Sequence, residues 1–183
     1  MAKKEIRMAG FGGQGIILSG HILGKAAALH EGKNAVFTQS YGPEARGGSC
    51  SADVVISDTK IHYPKVVEPD VLVLMSQGAW GTYGGVVSDG GVLILDEDLV
   101  KIDHDPTGLT VYRVPATRIA ENMGRRIVAN IVMLGAVTVL GQFVAYDSMK
   151  QAVLASIPRG TEDFNLSAFN QGFEYGQSLL NKQ

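Results

Sequence analysis

One segment constrains this chain more than any other. The short apolar run Ile6-Arg7-Met8-Ala9 leads directly into Gly10-Phe11-Gly12-Gly13-Gln14-Gly15, and from Ile16 to about His30 apolar residues recur at helical spacing. Glycine at positions 10, 12 and 15 satisfies G-x-G-x-x-G with a strand before it and a helix after it. Such a turn brings backbone N–H groups and a helix N-terminus up to an anion with no Cβ in the way. A second reading stays open, in which the glycines only allow a tight strand-to-helix turn packed against a neighbour. Gly32 is placed to stop the helix.

The rest of the chain alternates in the same manner. Ala35–Thr38 reads as a second strand, and Val71–Met75 and Val92–Leu95 are continuous apolar runs of the kind that parallel strands need. Thr110–Val114 reads as a further strand. Helices are expected over 77–87, from Pro115 to Met123, over Arg126–Leu140, after an Asp147 cap, and over 162–181. Ser51–Ser57 reads as a strand, with Ile61-His62-Tyr63 as its hairpin partner across Asp58-Thr59-Lys60. The predicted fold is α/β: one domain over 1–183, a doubly wound, mostly parallel Rossmann-like sheet with a short antiparallel insertion at Ser51–Tyr63.

Between the second and third strands lies Ser40-Tyr41-Gly42-Pro43-Glu44-Ala45-Arg46-Gly47-Gly48. It follows a strand, which puts it at the carboxyl edge of the sheet, where open α/β proteins bind ligands. Arg46 offers a fork-shaped cation for a phosphate or carboxylate. The alternative is that Glu44 and Arg46 form a solvated pair. Gly10, Gly12, Gly13, Gln14, Gly15, Tyr41, Glu44, Arg46, Gly47 and Gly48 are the candidate binding residues, on two loops expected to leave adjacent strands. No catalytic group and no metal ligand is assigned.

Several functions are disfavoured. A nicotinamide dinucleotide site wants an acid at the end of the second strand, but that strand ends Thr38-Gln39-Ser40, and Glu31 lies before it. The single cysteine, Cys50, cannot make an internal disulfide, an iron–sulfur cluster or a zinc site. His21, His30, His62 and His104 are not at metal spacing, and Ser19 and Ser49 lack the partners of a nucleophile. Asp96-Glu97-Asp98 reads as a solvated turn, and Trp80 and Tyr83 as filling for a core or subunit interface. With a net charge of −2 and scattered Lys and Arg, nucleic acid is a poor partner. No apolar stretch is long enough for a membrane span, and the N-terminus has no signal-peptide h-region. The chain reads as cytoplasmic. Glycine, at 23 residues, stands near twice its usual share of about 7%.

Gly-Phe-Gly-Gly-Gln-Gly-Ile at 10–16 followed by Ser-Tyr-Gly-Pro-Glu-Ala-Arg-Gly-Gly at 40–48 resembles the gamma subunit of 2-oxoacid:ferredoxin oxidoreductases, most closely the 2-oxoglutarate type. The similarity continues through Pro69-Asp70, Gly90-Gly91-Val92-Leu93, Val114-Pro115-Ala116 and Asn130–Gly135. Where that family commonly has Asn after the strand that ends at Met75, this chain has Ser76-Gln77.

The resemblance implies a multisubunit enzyme that oxidatively decarboxylates a 2-oxoacid on thiamine diphosphate and releases an acyl-coenzyme A. Electrons pass through [4Fe-4S] clusters to ferredoxin. It implies that alpha and beta partner chains hold the thiamine diphosphate and Mg, and that a ferredoxin-like delta chain or domain carries clusters. This chain then holds no cofactor alone and is inactive in isolation. It helps to cover the site for coenzyme A, the co-substrate. The residues leave two alternatives open, a non-catalytic assembly module and a stand-alone nucleotide-binding oxidoreductase. The apolar Ile131–Leu140 and Trp80–Val87 segments are expected to supply surface for partners.

Overall fold

The computed structural model describes residues 3–41 and 48–182. Along the chain run β1 (Lys4–Phe11), α1 (Ile16–Lys25) with a π-helical turn at Ala26–His30, β2 (Asn34–Tyr41), β3 (Ser49–Ser57), β4 (Val71–Leu74), α2 (Gln77–Tyr83), β5 (Val92–Asp96) and β6 (Thr110–Val114). The second half continues with α3 (Ala116–Asn122), a 3-10 turn at Arg126–Val128, α4 (Ala129–Gly141), α5 (Tyr146–Leu154) and α6 (Glu162–Leu180). The strands form one sheet in the order β2-β3-β1-β4-β5-β6.

β1, β4, β5 and β6 are parallel, as their apolar runs require. β3 is antiparallel to both β1 and β2. The antiparallel element is therefore not an appended Ser51–Tyr63 hairpin. β3 pairs with the strand before it, and Ile61-His62-Tyr63 forms no strand. The reason lies in β3 itself: Val54, Val55 and Ile56 are all fully buried, so the strand needs cover on both faces and a neighbour on each side. Residues 58–60 and 62–65 are exposed and cannot provide that. β2 and β1 thus run in the same direction with β3 between them, so their carboxyl ends share an edge although the two strands are not adjacent.

Helices cover both faces. Ala9, Leu72, Leu74, Leu93 and Leu95 point to the side of α2, where Ala79, Trp80 and Tyr83 pack on them. The larger core lies on the other face, under α1, α4, α5 and α6. α4 is buried along nearly its whole length within this chain. Its Gly135 lies against the α6 backbone at Phe169 and Phe173, and Gly172 of α6 lies against Val132. Small residues let these two backbones meet, so α4 has no face left over for a partner, contrary to the expectation from its hydropathy. The N-cap of α5 is Ala145, with Asp147 in the first turn rather than at the cap, and the Glu31 carboxylate accepts the Ala145 N–H. Among the described residues no helix is long and apolar enough to cross a membrane.

Candidate functional site at the glycine turn

β1 ends and α1 begins through a turn whose backbone only glycine adopts without strain. Gly13 has φ +100° and Gly15 has φ +75°. Gln14 is the bracket that holds the turn. Its side-chain carbonyl accepts the Phe11 N–H at 2.7 Å, and its amide donates to the Met75 carbonyl at 2.6 Å. That ties the turn to β1 and to the end of β4. Both ends of the Gln14 side chain are thereby engaged within the protein. Met75 in turn donates its N–H to Ala9 O at 2.9 Å.

The carbonyl of Gly15 points into the helix, where Ser19 N–H and Ser19 Oγ reach it at 2.9 and 3.0 Å. Asn130 Nδ2, from the start of α4, donates to the same carbonyl at 3.4 Å. Among the described residues, no acceptor meets the N–H groups of Gly13, Gly15 or Ile16. Gly15 is the N-cap and Ile16 the first residue of α1, so their N–H groups have no intrahelical partner, and Gly13 lies in the turn ahead of them.

The second loop meets the first. Gly12 donates its N–H to the Gly48 carbonyl at 2.9 Å, which pins the end of the β2–β3 connection to the glycine turn. Tyr41 ends β2 opposite Cys50 and is 62% exposed. Glu44, Arg46 and Gly47 lie outside the described residues. Cys50 also sits opposite Gly10 across β1–β3, and burial pushes its thiol up. Gly10 is where a Cβ would run into Gln14 Oε1 and Ile16, so the bracket needs it.

Two cavities flank the turn. One, of about 370 Å³, is walled by Gly13, Gly15, Leu18, Ile131, Phe164 and Asn130, with Arg125 also on its lining. The other, of about 290 Å³, takes in Gly13, Gln14, Met75, Thr117 and Arg126. Ile127, 76% exposed, lines both. The Arg125 guanidinium lies 5.2 Å over the Phe164 ring, and Arg126 pairs with Glu121 at 3.3 Å.

Reasoning from sequence did not single out Arg125, Arg126 or Phe164, and it placed Asn130 only in a family run. Two arginines after Gly124, just ahead of an apolar helix with Asn in its first turn, are the signal that was available.

Asp96 departs from the solvated turn expected for Asp96–Asp98. It is fully buried at the end of β5, and its carboxylate accepts from Thr117 N, Thr117 Oγ1 and Asp98 N at 2.9, 2.7 and 3.1 Å. Burial pushes this carboxyl up, against those three bonds. Because Thr117 lines the smaller cavity, Asp96 braces the start of α3 at its wall. Ser76, in place of the family's Asn, caps α2 by accepting the Ala79 N–H at 3.2 Å. Asn and Ser are near-equal in that role. Ser19 is buried in its bond to Gly15, and His21 is exposed with its ring edge-on to Phe37. Among the described residues, no group of three or more His, Cys, Asp or Glu could hold a metal ion.

This sheet and turn define the class: a doubly wound α/β protein with a glycine-rich β1–α1 turn and no acid at the end of β2. The chain belongs to the pyruvate ferredoxin/flavodoxin oxidoreductase family, whose model matches residues 5–175. It is 55% identical over 179 residues to the 2-oxoglutarate synthase subunit KorC of Methanocaldococcus jannaschii, covering 97% of this chain and 96% of that protein. It is also 35% identical over 180 residues to the ketoisovalerate oxidoreductase subunit VorA of Methanothermobacter thermautotrophicus, covering 96% of this chain but 37% of that one. Among solved structures, the gamma subunit of the keto/oxoacid ferredoxin oxidoreductase of Geobacter sulfurreducens PCA superposes with a TM-score of 0.84 at 40% identity, covering 96% and 99% of the two chains. The resemblance carried by the two loop motifs is borne out: this is a chain of the gamma-subunit type, a subunit of an oxidoreductase complex.

Proposed function

We propose that this chain, as one gamma-type domain over 1–183, is the subunit of a 2-oxoglutarate:ferredoxin oxidoreductase that completes the coenzyme A side of the shared active site. The observation that carries the reading is the glycine turn. Left-handed Gly13 and Gly15 leave a set of N–H donors open at the start of a ten-residue helix, with Arg125 and Arg126 on the adjoining cavities. Coenzyme A is the most phosphate-rich reactant of the proposed reaction, and an oriented helix N-terminus beside arginines suits phosphate. At the carboxyl end of β1 the neighbouring strand is β3, which begins Ser49-Cys50-Ser51 without an acid, and that argues against a nicotinamide dinucleotide.

The oxoacid follows from the relatives of highest identity, which are named 2-oxoglutarate synthase subunits. Alpha and beta partners hold thiamine diphosphate and Mg, and a delta chain or domain holds [4Fe-4S] clusters that reduce ferredoxin. Those groups supply carbanion and electron-transfer chemistry; this chain binds, orients and shields. The match to about a third of VorA fits that division, since the same unit there is part of a longer polypeptide. Exposed apolar side chains, with Ile127 at 76%, Leu29 at 70% and Val67 at 55%, offer contact surface for partners in a cytoplasmic complex.

The test uses the assembled complex with Arg46→Ala and Gly13→Val. Loss of one charge-assisted contact costs about 1.5–3 kcal/mol, on the order of a 10- to 150-fold rise in KM for coenzyme A. Decarboxylation of the 2-oxoacid measured without coenzyme A should stay near wild type. If coenzyme A saturation is untouched and decarboxylation is lost, the two loops belong to the thiamine or 2-oxoacid pocket and the reading falls.

A further inference from the structure

We propose that the outer edge of β2 is a self-association surface whose occupant is β2 of a second copy of this chain. The two strands pair antiparallel about a two-fold axis at Thr38, so that two six-stranded sheets join into one.

The register of the sheet shows which backbone groups of β2 are free. Gly12 donates its N–H to the Gly48 carbonyl at 2.9 Å, one step beyond the β1–β3 pairs that end Gly10–Cys50 and Phe11–Ser49. Even-numbered residues of β3 therefore turn their N–H and C=O groups to β1, and odd-numbered ones turn theirs to β2. Met75 N–H reaching Ala9 O fixes the same alternation from the other side of β1. Facing the odd-numbered residues of β3 are Asn34, Val36, Thr38 and Ser40. Ala35, Phe37, Gln39 and Tyr41 thus point their N–H and C=O groups away from the sheet, and among the described residues nothing meets them.

An open row of donors and acceptors is a template for another strand, and monomers blunt such edges with charge, proline, a bulge or a short strand. β2 has none of these. It runs for eight residues, Asn34–Tyr41, without a charge or a proline. Its one-for-one register with β3 leaves no bulge, and Thr38 to Tyr41 are exposed. The opposite edge, β6, is by contrast marked by Arg113 in an ion pair with Asp105.

A second copy fits this edge because the strand is complementary to itself. With the axis at Thr38, Ala35 of one copy faces Tyr41 of the other and Phe37 faces Gln39, so every outward group is paired in about eight hydrogen bonds. A slip of two residues leaves a pair unmade at each end, and a slip of one sets outward groups against inward ones. Small residues then lie opposite large ones: Ala35 opposite Tyr41, which is 62% exposed in the single chain, and Ser40 opposite Val36. Thr38 meets its own copy, a favourable cross-strand pair, and no like charges oppose each other. About eight direct bonds lie within the roughly 10 ± 5 of a specific interface.

The test is size exclusion with light scattering on the full chain, joined to oxidative cross-linking. Wild type should have the mass of two chains. Thr38→Lys sets two ammonium groups against each other across the axis and should lose the dimer. Gln39→Pro removes an N–H that points outward and spares the bonds to β3, so it should lose the dimer and keep the fold. Thr38→Cys should give a covalent dimer under oxidant, because Cα atoms in a non-hydrogen-bonded pair lie about 4.5 Å apart, within disulfide reach. Ser40→Cys, more than about 13 Å from its own copy in this register, should not. Cys50 is 5% exposed and does not compete. A monomeric wild type, or Ser40→Cys that cross-links as readily as Thr38→Cys, overturns the proposal. If Gln39→Pro leaves the mass of the chain unchanged but releases it from the other subunits of the complex, the edge belongs to one of them and the proposal falls.

Discussion

The side chain of Asn130 occupies the space that a Cβ on Gly15 would need, and its Nδ2 donates to the Gly15 carbonyl at 3.4 Å. Helix α4 thereby sets the position of a turn 115 residues earlier in the chain. Gly15→Ala should then suffer twice. A left-handed φ costs roughly 1–2 kcal/mol, and overpacking against Asn130 costs about 1–3 kcal/mol. Asn130→Ala in the same chain should remove the second cost and leave the first. A double-mutant cycle by urea unfolding checks this: additive losses would mean that the two residues do not share the space.

Gln14 makes both of its hydrogen bonds to backbone, to Phe11 N and Met75 O. Gln14→Leu should strand a donor and an acceptor at about 1–3 kcal/mol. Gln14→Glu keeps the first bond and sets an anion against the Met75 carbonyl, so it should not rescue. Faster hydrogen exchange at the Phe11 amide, with little change in β5, is the expected signature.

Two helical glycines should respond to alanine with opposite signs. A Cβ at Gly81 on α2 meets nothing within 4 Å, and one at Gly172 on α6 meets the Val132 backbone. Alanine gains about 0.8–1 kcal/mol in helix propensity over glycine. Gly81→Ala should therefore stabilise by up to that amount. Gly172→Ala should destabilise by roughly 1–3 kcal/mol or more, because two backbones must separate. Urea midpoints of the two variants decide it.

Glu31 gives a pH-dependent test. Burial raises its carboxyl, but Lys33 and the Ala145 N–H outweigh that and hold it below its ordinary 4.5. A carboxyl depressed in the folded state adds stability above the unfolded value, and that stability is lost as pH falls through the folded value. Lys33 also donates to Phe143 O at 2.9 Å, so the pair fastens β2's approach to the start of α5. Glu31→Gln should cost about 1–2 kcal/mol at pH 7, and the gap to wild type should close below about pH 4.5. A gap independent of pH would place the effect in packing alone.

The amino-acid sequence by itself determined the strand, glycine turn and helix at the start of the chain, the apolar parallel strands, and the lack of a dinucleotide acid after β2. Those signals are local: a period of apolar residues, a residue that tolerates positive φ, a missing carboxylate a fixed distance away. Tertiary structure alone decided where β3 pairs, because a strand buried on both faces can join a sheet at several places and only the competing neighbours choose. It buried Asp96 behind Thr117 and closed α4 under α6 through Gly135 and Gly172, since hydropathy counts apolar atoms but not how closely two backbones approach. It also carried Arg125, Asn130 and Phe164 to a turn more than a hundred residues away. No spacing rule reaches that far, since the distance between those groups is set by how the helices pack on the sheet.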